Sequence, residues 1–430
     1  MKKKSLLLVT AAMLLASCGS TPAASTVTSG AASSATSQPE ASLSIPDAGY
    51  ALKVWCPEAA QTLTTSQINT YLTEKGLDSK VTVTVTAVGE GDAATNMITD
   101  VDAGADMYFF AQDQLARLVG AGALAQIGGS YATAIANDND AGAVSAAQLN
   151  GDTYAFPLTS DNGYFLYYDK TALDATAISN WANIVSYAET NSKTIGINYT
   201  SAWYNFGFFY GAGADSVFST DKDGNFTSVN DTYNSAKGLV AARAMANIIT
   251  SKTMVDTGSI SGVTDTCVAV VDGTWDYTAA QKLFGDKLGC AKLPSYTVGG
   301  KDYQMGSFCG NKLLGVKPQS DSVKAALLNR IAAYLTGETG QAERFASLEW
   351  GPSNKAVQGS DAVKAAPQLV ALAAQNAYGK PQGQFPGGWW TLAGGIGTSI
   401  QAAGKDVTDA ALQTILDTYE TAVQDLVKAA

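Results

Sequence analysis

Apolar and polar positions along this chain follow two periods, and the places where one gives way to the other outline its elements. Residues 81–85 alternate apolar and polar side chains, as a half-exposed strand does. Residues 106–111, 163–168, 193–198 and 268–272 are short apolar runs of the length and composition of buried strands. Helical periodicity marks residues 65–77, 112–120, 180–191 and 233–251, and near the end Leu412, Leu416, Tyr419, Val423 and Leu426 share one helical face. Strands separated by helices predict an α/β fold with parallel sheets and ligands near the carboxyl ends of the strands. The chain is long enough for two such lobes. The turns Gly89-Glu90-Gly91, Gly128-Gly129 and Gly299-Gly300 lack the spacing of a phosphate-binding loop, so no nucleotide site is expected.

The first 44 residues break this pattern. Lys2, Lys3 and Lys4 precede an apolar run over residues 6–16 that is too short to span a bilayer and has the form of a signal peptide. The run ends in Leu15-Ala16-Ser17-Cys18, which resembles the lipobox of bacterial lipoproteins. That resemblance implies a signal peptide over residues 1–17 and a lipidated Cys18. Residues 19–44 are mostly Ser, Thr, Ala, Gly and Gln, with little to bury against the entropy of ordering, and read as a tether. No later apolar run approaches membrane-spanning length, so the lipid is the one membrane attachment expected.

Composition narrows the chemistry. The formal charge is −11, and removing Lys2, Lys3 and Lys4 leaves −14, which disfavours nucleic acid or anionic lipid as partners. There is no His in the chain, which removes the commonest metal ligand and general base, and neither metal nor cofactor is expected. Beyond Cys18, the cysteines Cys56, Cys267, Cys290 and Cys309 lack the close spacing of zinc sites. Cys290 and Cys309 flank an expected hairpin, a placement equally open to a disulfide and to two buried thiols.

Several colinear segments resemble the family of solute-binding proteins that includes the maltose- and maltodextrin-binding proteins. They are Gly104-Ala105-Asp106-Met107-Tyr108-Phe109-Phe110-Ala111-Gln112-Asp113 with Leu118-Val119-Gly120-Ala121-Gly122-Ala123-Leu124; Asn150-Gly151-Asp152-Thr153-Tyr154-Ala155-Phe156-Pro157 running into Tyr164-Phe165-Leu166-Tyr167-Tyr168-Asp169-Lys170; Val271-Asp272-Gly273-Thr274-Trp275; Ala291-Lys292-Leu293-Pro294; and Gly351-Pro352-Ser353-Asn354-Lys355. The resemblance implies a two-lobed periplasmic-binding-protein-like fold of type II, each lobe a mostly parallel sheet flanked by helices. It places lobe 1 at residues 45–160 and 311–365 and lobe 2 at residues 161–310 and 366–430, with crossings near 159–162, 309–311 and after 364. It further implies a monomer that holds solute between the lobes for the permease subunits of an ABC importer, without catalysis.

Sugars present apolar C–H faces and a rim of hydroxyls, so a receptor for them needs flat aromatic surfaces together with donors and acceptors. Trp203, Tyr204, Trp275, Trp389 and Trp390 lie at expected strand-to-helix junctions or in Gly-flanked stretches, although core packing is an equally open reading of each. By the resemblance, Phe110, Trp203, Trp275 and one of Trp389 or Trp390 fall at stacking positions. Asp113 and Asp161 fall at hydroxyl-binding carboxylates, where the alternatives are helix capping and turn formation. The chain also departs from the family. Val54-Trp55-Cys56-Pro57-Glu58 lacks an Asp-Lys pair, with Glu58 the candidate replacement; Gln114 stands where an Arg is expected, and Ser201 where a Glu is. These departures put maltose itself in doubt and leave a related oligosaccharide as the expected ligand. Two other classes remain open: a secreted glycoside hydrolase, which needs two carboxyls across one bond, and a receptor for peptides or polyamines.

Overall fold

A computed structural model describes residues 42–428; the signal segment, Cys18 and the tether as far as residue 41 lie outside the described residues. Tyr50–Cys56 pairs in parallel with Val81–Ala87 and with Met107–Ala111, helices intervening between successive strands. At the far side of the same ten-stranded sheet, Cys267–Gly273 pairs in parallel with Thr194–Gly196, which pairs in parallel with Met254–Val255. Two long strands, Ala155–Asp169 and Ser307–Val316, join the two sections. They run antiparallel to each other, and Ser307–Val316 is antiparallel to Met107–Ala111 as Ala155–Asp169 is to Cys267–Gly273, so the sheet is mixed. A chain that crosses from one section to the other has to return, and the return lies antiparallel beside the outward strand. The sequence pattern registered only residues 163–168 of the first crossing strand, because its other half carries Pro157, a residue usually confined to edges and bulges. Here Pro157 lies opposite Leu313 beside a register shift.

Strand alternation then sorts the side chains into separate cores. Met107 and Phe109 face helices Glu58–Glu74 and Ser322–Thr336 in one cluster, whereas Tyr108 and Phe110 face Ala93–Thr99 and Leu115–Gly120 in another. Beyond the crossing, Tyr164 and Leu166 join the largest cluster, with helices Trp181–Asn191, Ala202–Ala212, Ala236–Ile249, Gly387–Ala403 and Asp409–Asp425. Phe165 and Tyr167 face the opposite side, against Tyr277–Phe284 and Leu372. The first two clusters draw on residues up to Leu158 and from Leu313 to Trp350, and the other two on residues from Tyr164 to Phe308 and from Ala371 onward. The two crossing strands therefore pass between independently packed cores. Their pairing slips on both sides of Lys312, next to where Gly310 meets Asn162.

Helix boundaries differ from the periodicity in two instructive ways. Glu58–Glu74 begins seven residues before the expected start at residue 65, since its first turns carry Ala, Gln and Thr rather than a clear apolar stripe. Trp389 and Trp390, expected at a junction or in a Gly-flanked stretch, lie in the first turn of the helix Gly387–Ala403. Its glycines allow close approach: a Cβ at Gly394 would lie 2.6 Å from the Thr200 carbonyl oxygen, and one at Gly397 would lie 1.9 Å from that of Tyr199. Cys56, Cys267, Cys290 and Cys309 are free thiols, so Cys290 and Cys309 are not paired. Among the described residues no helix is long and apolar enough to cross a membrane, and no cluster of three or more Cys, Asp and Glu is placed to hold a metal ion.

Candidate functional site

Where the crossing strands leave one core for the other, a cavity of about 600 Å³ opens. Its wall on the side of the first section comes from strand ends and the chain just after them: Pro57 and Ala59 after the first strand, Glu90, Gly91 and Asp92 after the second, and Ala111 at the end of the third with Asp113 and Gln114 after it. Trp203, Trp275, Asp276 and Trp390 form the facing wall, and Asn162, Lys312, Trp350 and Gln382 complete the lining. Ligand sites at the carboxyl ends of strands are the rule for open α/β sheets.

Three indoles on the facing wall are set by helix and strand ends. Trp203 is the second residue of Ala202–Ala212 and stacks on Phe308, ring centroids 5.2 Å apart. Trp390 lies in the first turn of Gly387–Ala403, with its ring 6.3 Å from that of Trp203. Successive helical residues point about 100° apart, so its neighbour Trp389 turns inward instead. Trp389 is fully buried, stacks on Phe385 and donates its Nε1–H to Tyr419 Oη at 2.9 Å. Trp275 follows Cys267–Gly273, and its ring folds back over the strand end, where a Cβ on Gly273 would come within 2.2 Å of it. The turn under Trp275 is fixed by Asp272 Oδ1, which accepts from Gly273 N at 2.7 Å and from Tyr204 Oη at 3.3 Å, and by Asp276 Oδ2, which accepts from Ser259 Oγ at 2.6 Å. Burial, and secondarily the neighbouring Asp276, hold the Asp272 carboxyl well above the usual carboxylate range.

The opposite wall is polar. Asp113 is 3% exposed and accepts from Gln382 Nε2 at 2.8 Å and from the Trp390 indole. Burial pushes its carboxyl up to about 7, against the lowering influence of these hydrogen bonds and of Arg117. Gln114 takes the place of an expected Arg and locks a loop: its Nε2 donates to Glu90 O at 2.6 Å and Gly91 O at 3.0 Å, and its Oε1 accepts from Ala94 N at 2.8 Å. Glu90 is thereby held at the wall, where it pairs with Lys312 at 3.5 Å. The Lys312 ammonium lies over the rings of Trp350, 4.1 Å from the centroid, and of Trp275, 5.4 Å from the centroid. Glu90, Lys312 and Trp350 had no place among the sequence candidates. Glu90 read as part of a turn, Lys312 owes its direction to the bulge, and Trp350 stands one residue before the Gly351-Pro352-Ser353-Asn354 segment, which was its only signal.

Of the sequence candidates, Asp113, Trp203, Trp275 and Trp390 line the cavity and Glu58, Phe110, Asp161 and Trp389 do not. Phe110 is fully buried among Tyr108, Leu115 and Leu118, because the strand sends it to the core and leaves Ala111, at the strand end, to face the cavity. Asp161 is 1% exposed; its Oδ2 accepts from Gly351 N at 2.6 Å and from Thr274 Oγ1 at 2.8 Å, so it ties together the residues beside Trp350 and Trp275. Glu58 is exposed in the first turn of its helix, between the lining residues Pro57 and Ala59. Ser201 occupies the N-cap position of Ala202–Ala212, and is likewise off the lining.

A model of the bacterial extracellular solute-binding proteins matches residues 67–371. The chain is similar in structure to a protein solved with acarbose, at 24% identity and a TM-score of 0.76, covering 88% of this chain and 99% of that one. It is similar to the maltodextrin-binding protein MalE1 of L. casei BL23, solved without ligand, at 21% identity and a TM-score of 0.71, covering 87% and 99%. A third likeness is to the maltose/maltodextrin-binding domain MalE of Bdellovibrio bacteriovorus bound to maltotriose, at 17% identity and a TM-score of 0.71, covering 87% and 100%. These likenesses show a two-lobed α/β fold. No curated protein matches the sequence.

Proposed function

Because the chain belongs to the bacterial extracellular solute-binding protein family, we propose that it is the solute-binding component of an ABC importer and that it binds a carbohydrate, a malto-oligosaccharide or a similar oligosaccharide, in the cavity between its lobes. The observation that carries this reading is the lining: four indole rings and a set of polar groups around about 600 Å³, a volume typical of small-molecule sites. Indole faces suit the apolar faces of sugar rings, and Glu90, Asp92 and Lys312 offer acceptors and a donor to hydroxyls. That one similar structure holds acarbose and another maltotriose supports the same ligand class.

In this reading residues 45–160 and 311–365 form one lobe, residues 161–310 and 366–430 the other, and the crossings near 159–162, 309–311 and after 364 act as the hinge. Ligand touching both walls stabilises the closed form, which is the differential affinity that closure requires. Hydrolysis would need two carboxyls across one bond, and Asp113 and Asp161 do not offer them, since Asp161 is engaged with Gly351 and Thr274 away from the cavity. Membership of an extracellular family places the protein in the periplasm or at the cell surface, and the proposed anchor is a lipid on Cys18 of a monomer.

Thermal-shift screening against maltotriose, maltotetraose, short peptides and polyamines tests the ligand class, with small-angle scattering on each hit. Stabilisation by an oligosaccharide with a smaller radius of gyration is expected. Stabilisation by peptides or polyamines alone, or release of reducing ends from maltotetraose in proportion to protein, would overturn the reading. Cys18→Ala should move the protein out of the membrane fraction without changing affinity.

A further inference from the structure

The carbohydrate reading does not say what the ion pair on the cavity wall, Glu90 with Lys312, selects. Lys312 is 5% exposed yet lies on the cavity lining, and its position is built rather than incidental. The register slips on both sides of it, and bulges of this kind re-aim a side chain. Gln112 pins the slip, its Oε1 accepting from Asn311 N and Asn311 Nδ2 at 2.8 Å each. Glu90 is equally fixed, through the two bonds from Gln114 to its loop. Confining two charges costs desolvation that an apolar pair would avoid, so stability alone gives no reason for this arrangement.

The other acids on the lining differ in their commitments. Asp113 is held by Gln382 and Trp390, and Asp276 by Ser259 and Ile260. Glu90 and Lys312 instead present an acceptor and a donor side by side, 3.5 Å apart, with the Lys312 ammonium over the rings of Trp275 and Trp350 and Glu90 Oε1 without a hydrogen-bond partner. Adjacent hydroxyls of a sugar ring can each donate and accept, so one can give its proton to Glu90 while its neighbour receives one from Lys312. A sugar carboxylate at the same place would meet Lys312 together with Glu90, Asp92 and Asp276, so acids outnumber the one ammonium on the lining. Like charges brought together in such a site repel, which works against the wrong ligand. We infer that Glu90 and Lys312 form a charge filter that reads one pair of neighbouring hydroxyls on an uncharged sugar and rejects sugars bearing a carboxylate there. The inference rests on the carbohydrate reading and assigns its selectivity to two residues.

Titration calorimetry of the wild type, Glu90→Gln and Lys312→Met with neutral trisaccharides (maltotriose, isomaltotriose and cellotriose) and with their C6-carboxylated forms tests it. The wild type should favour the neutral member by about tenfold or more. Glu90→Gln keeps the shape and removes the anion, so the carboxylated form should gain about tenfold relative to the neutral one. Lys312→Met should weaken neutral binding by about tenfold or more, as expected for losing a charged donor. A Glu90→Gln protein that binds neutral sugar with an unchanged preference would overturn the filter and leave the carbohydrate reading standing. Wild-type protein that binds no member of either series would overturn both. Melting temperatures measured alongside separate a folding defect from a change of preference, which a residue of purely structural role would not produce.

Discussion

The two walls of the cleft are made differently. On one side Trp203, Trp275 and Trp390 each sit at the end of a regular element, with a ring propped by neighbours such as Phe308 and a side chain aimed by helix or strand geometry. On the other, Glu90, Asp92, Asp113 and Gln114 sit in turns after strands, and their directions depend on side-chain hydrogen bonds reaching across the fold. The difference separates two tasks: the aromatic wall supplies surface for any sugar-like ring, while the polar wall decides which hydroxyls and charges are accepted. Changes on the first should therefore alter affinity in bulk, and changes on the second should alter selectivity.

The neighbours Trp389 and Trp390 give the largest test of that division. Trp390→Ala, like Trp275→Ala, removes a rigid surface from the cavity and should cost about 2–4 kcal/mol of binding, by analogy with aromatic hot spots. Trp389→Ala should instead cost about 3–5 kcal/mol of stability, as for other buried aromatics, with little change in the affinity of protein that remains folded. Calorimetry beside thermal melts distinguishes the two losses. If Trp390→Ala melts early and binds normally, the aromatic wall is core and the comparison fails.

A smaller effect is expected at Asp161, which links the walls without facing the cavity. Its Oδ2 holds Gly351 N and Thr274 Oγ1, the residues beside Trp350 and Trp275. Asp161→Ala should lower stability by about 1.5–3 kcal/mol, the range for hydrogen bonds to a charged group, and weaken sugar binding through the displaced rings. Lost affinity at an unchanged melting temperature would instead mean that Asp161 touches ligand directly.

These cases show what could be read in the sequence. The periodic elements were legible, and so were three of the four indoles on the lining, since large aromatics at element ends have few uses. Phe110 was not placed well because a single step along a strand exchanges core for cleft, and a resemblance between segments does not resolve that step. Lys312 was invisible because its direction comes from a register slip between strands some 150 residues apart in sequence (Asn162 opposite Gly310). Gln114 read as the loss of an Arg, whereas its amide is what fixes the Glu90 loop. Polar positions on this wall depend on which distant backbone groups they meet, and no local pattern records that.

A pH series sharpens the comparison further. Burial raises the Asp113 carboxyl to about 7, so its protonated form is favoured by folding. The resulting stability is fully present below the ordinary carboxylate range, about 4, and is lost as pH rises through about 7. Asp113→Asn, which cannot ionise, should therefore gain on the wild type by roughly 1 kcal/mol or more between pH 4 and pH 8, about 1 °C in melting temperature for each kcal/mol in a chain of this length. Asp231, raised to about 7 by its own burial, titrates in the same window, so the wild-type slope should shrink in Asp113→Asn rather than vanish. Identical slopes in the two proteins would show that Asp113 is hydrated and that the polar wall is more open than its hydrogen bonds indicate.

The smallest effect is expected at Glu58, where sequence and structure assign different roles. The sequence offers it as a substitute for a missing ligand-binding pair, and the residues on either side of it line the cavity. Its own side chain is exposed in the first turn of Glu58–Glu74, and the Pro57 before it provides no side-chain cap. An acid there complements the positive end of the helix dipole, an interaction worth about 0.3–1 kcal/mol and weakened by salt. Glu58→Gln should therefore lower stability within that range at low ionic strength, lose the difference in high salt, and leave sugar affinity within about twofold. A tenfold loss of affinity with no change in melting would bring Glu58 back to the cleft, and the polar wall would then extend to the first strand.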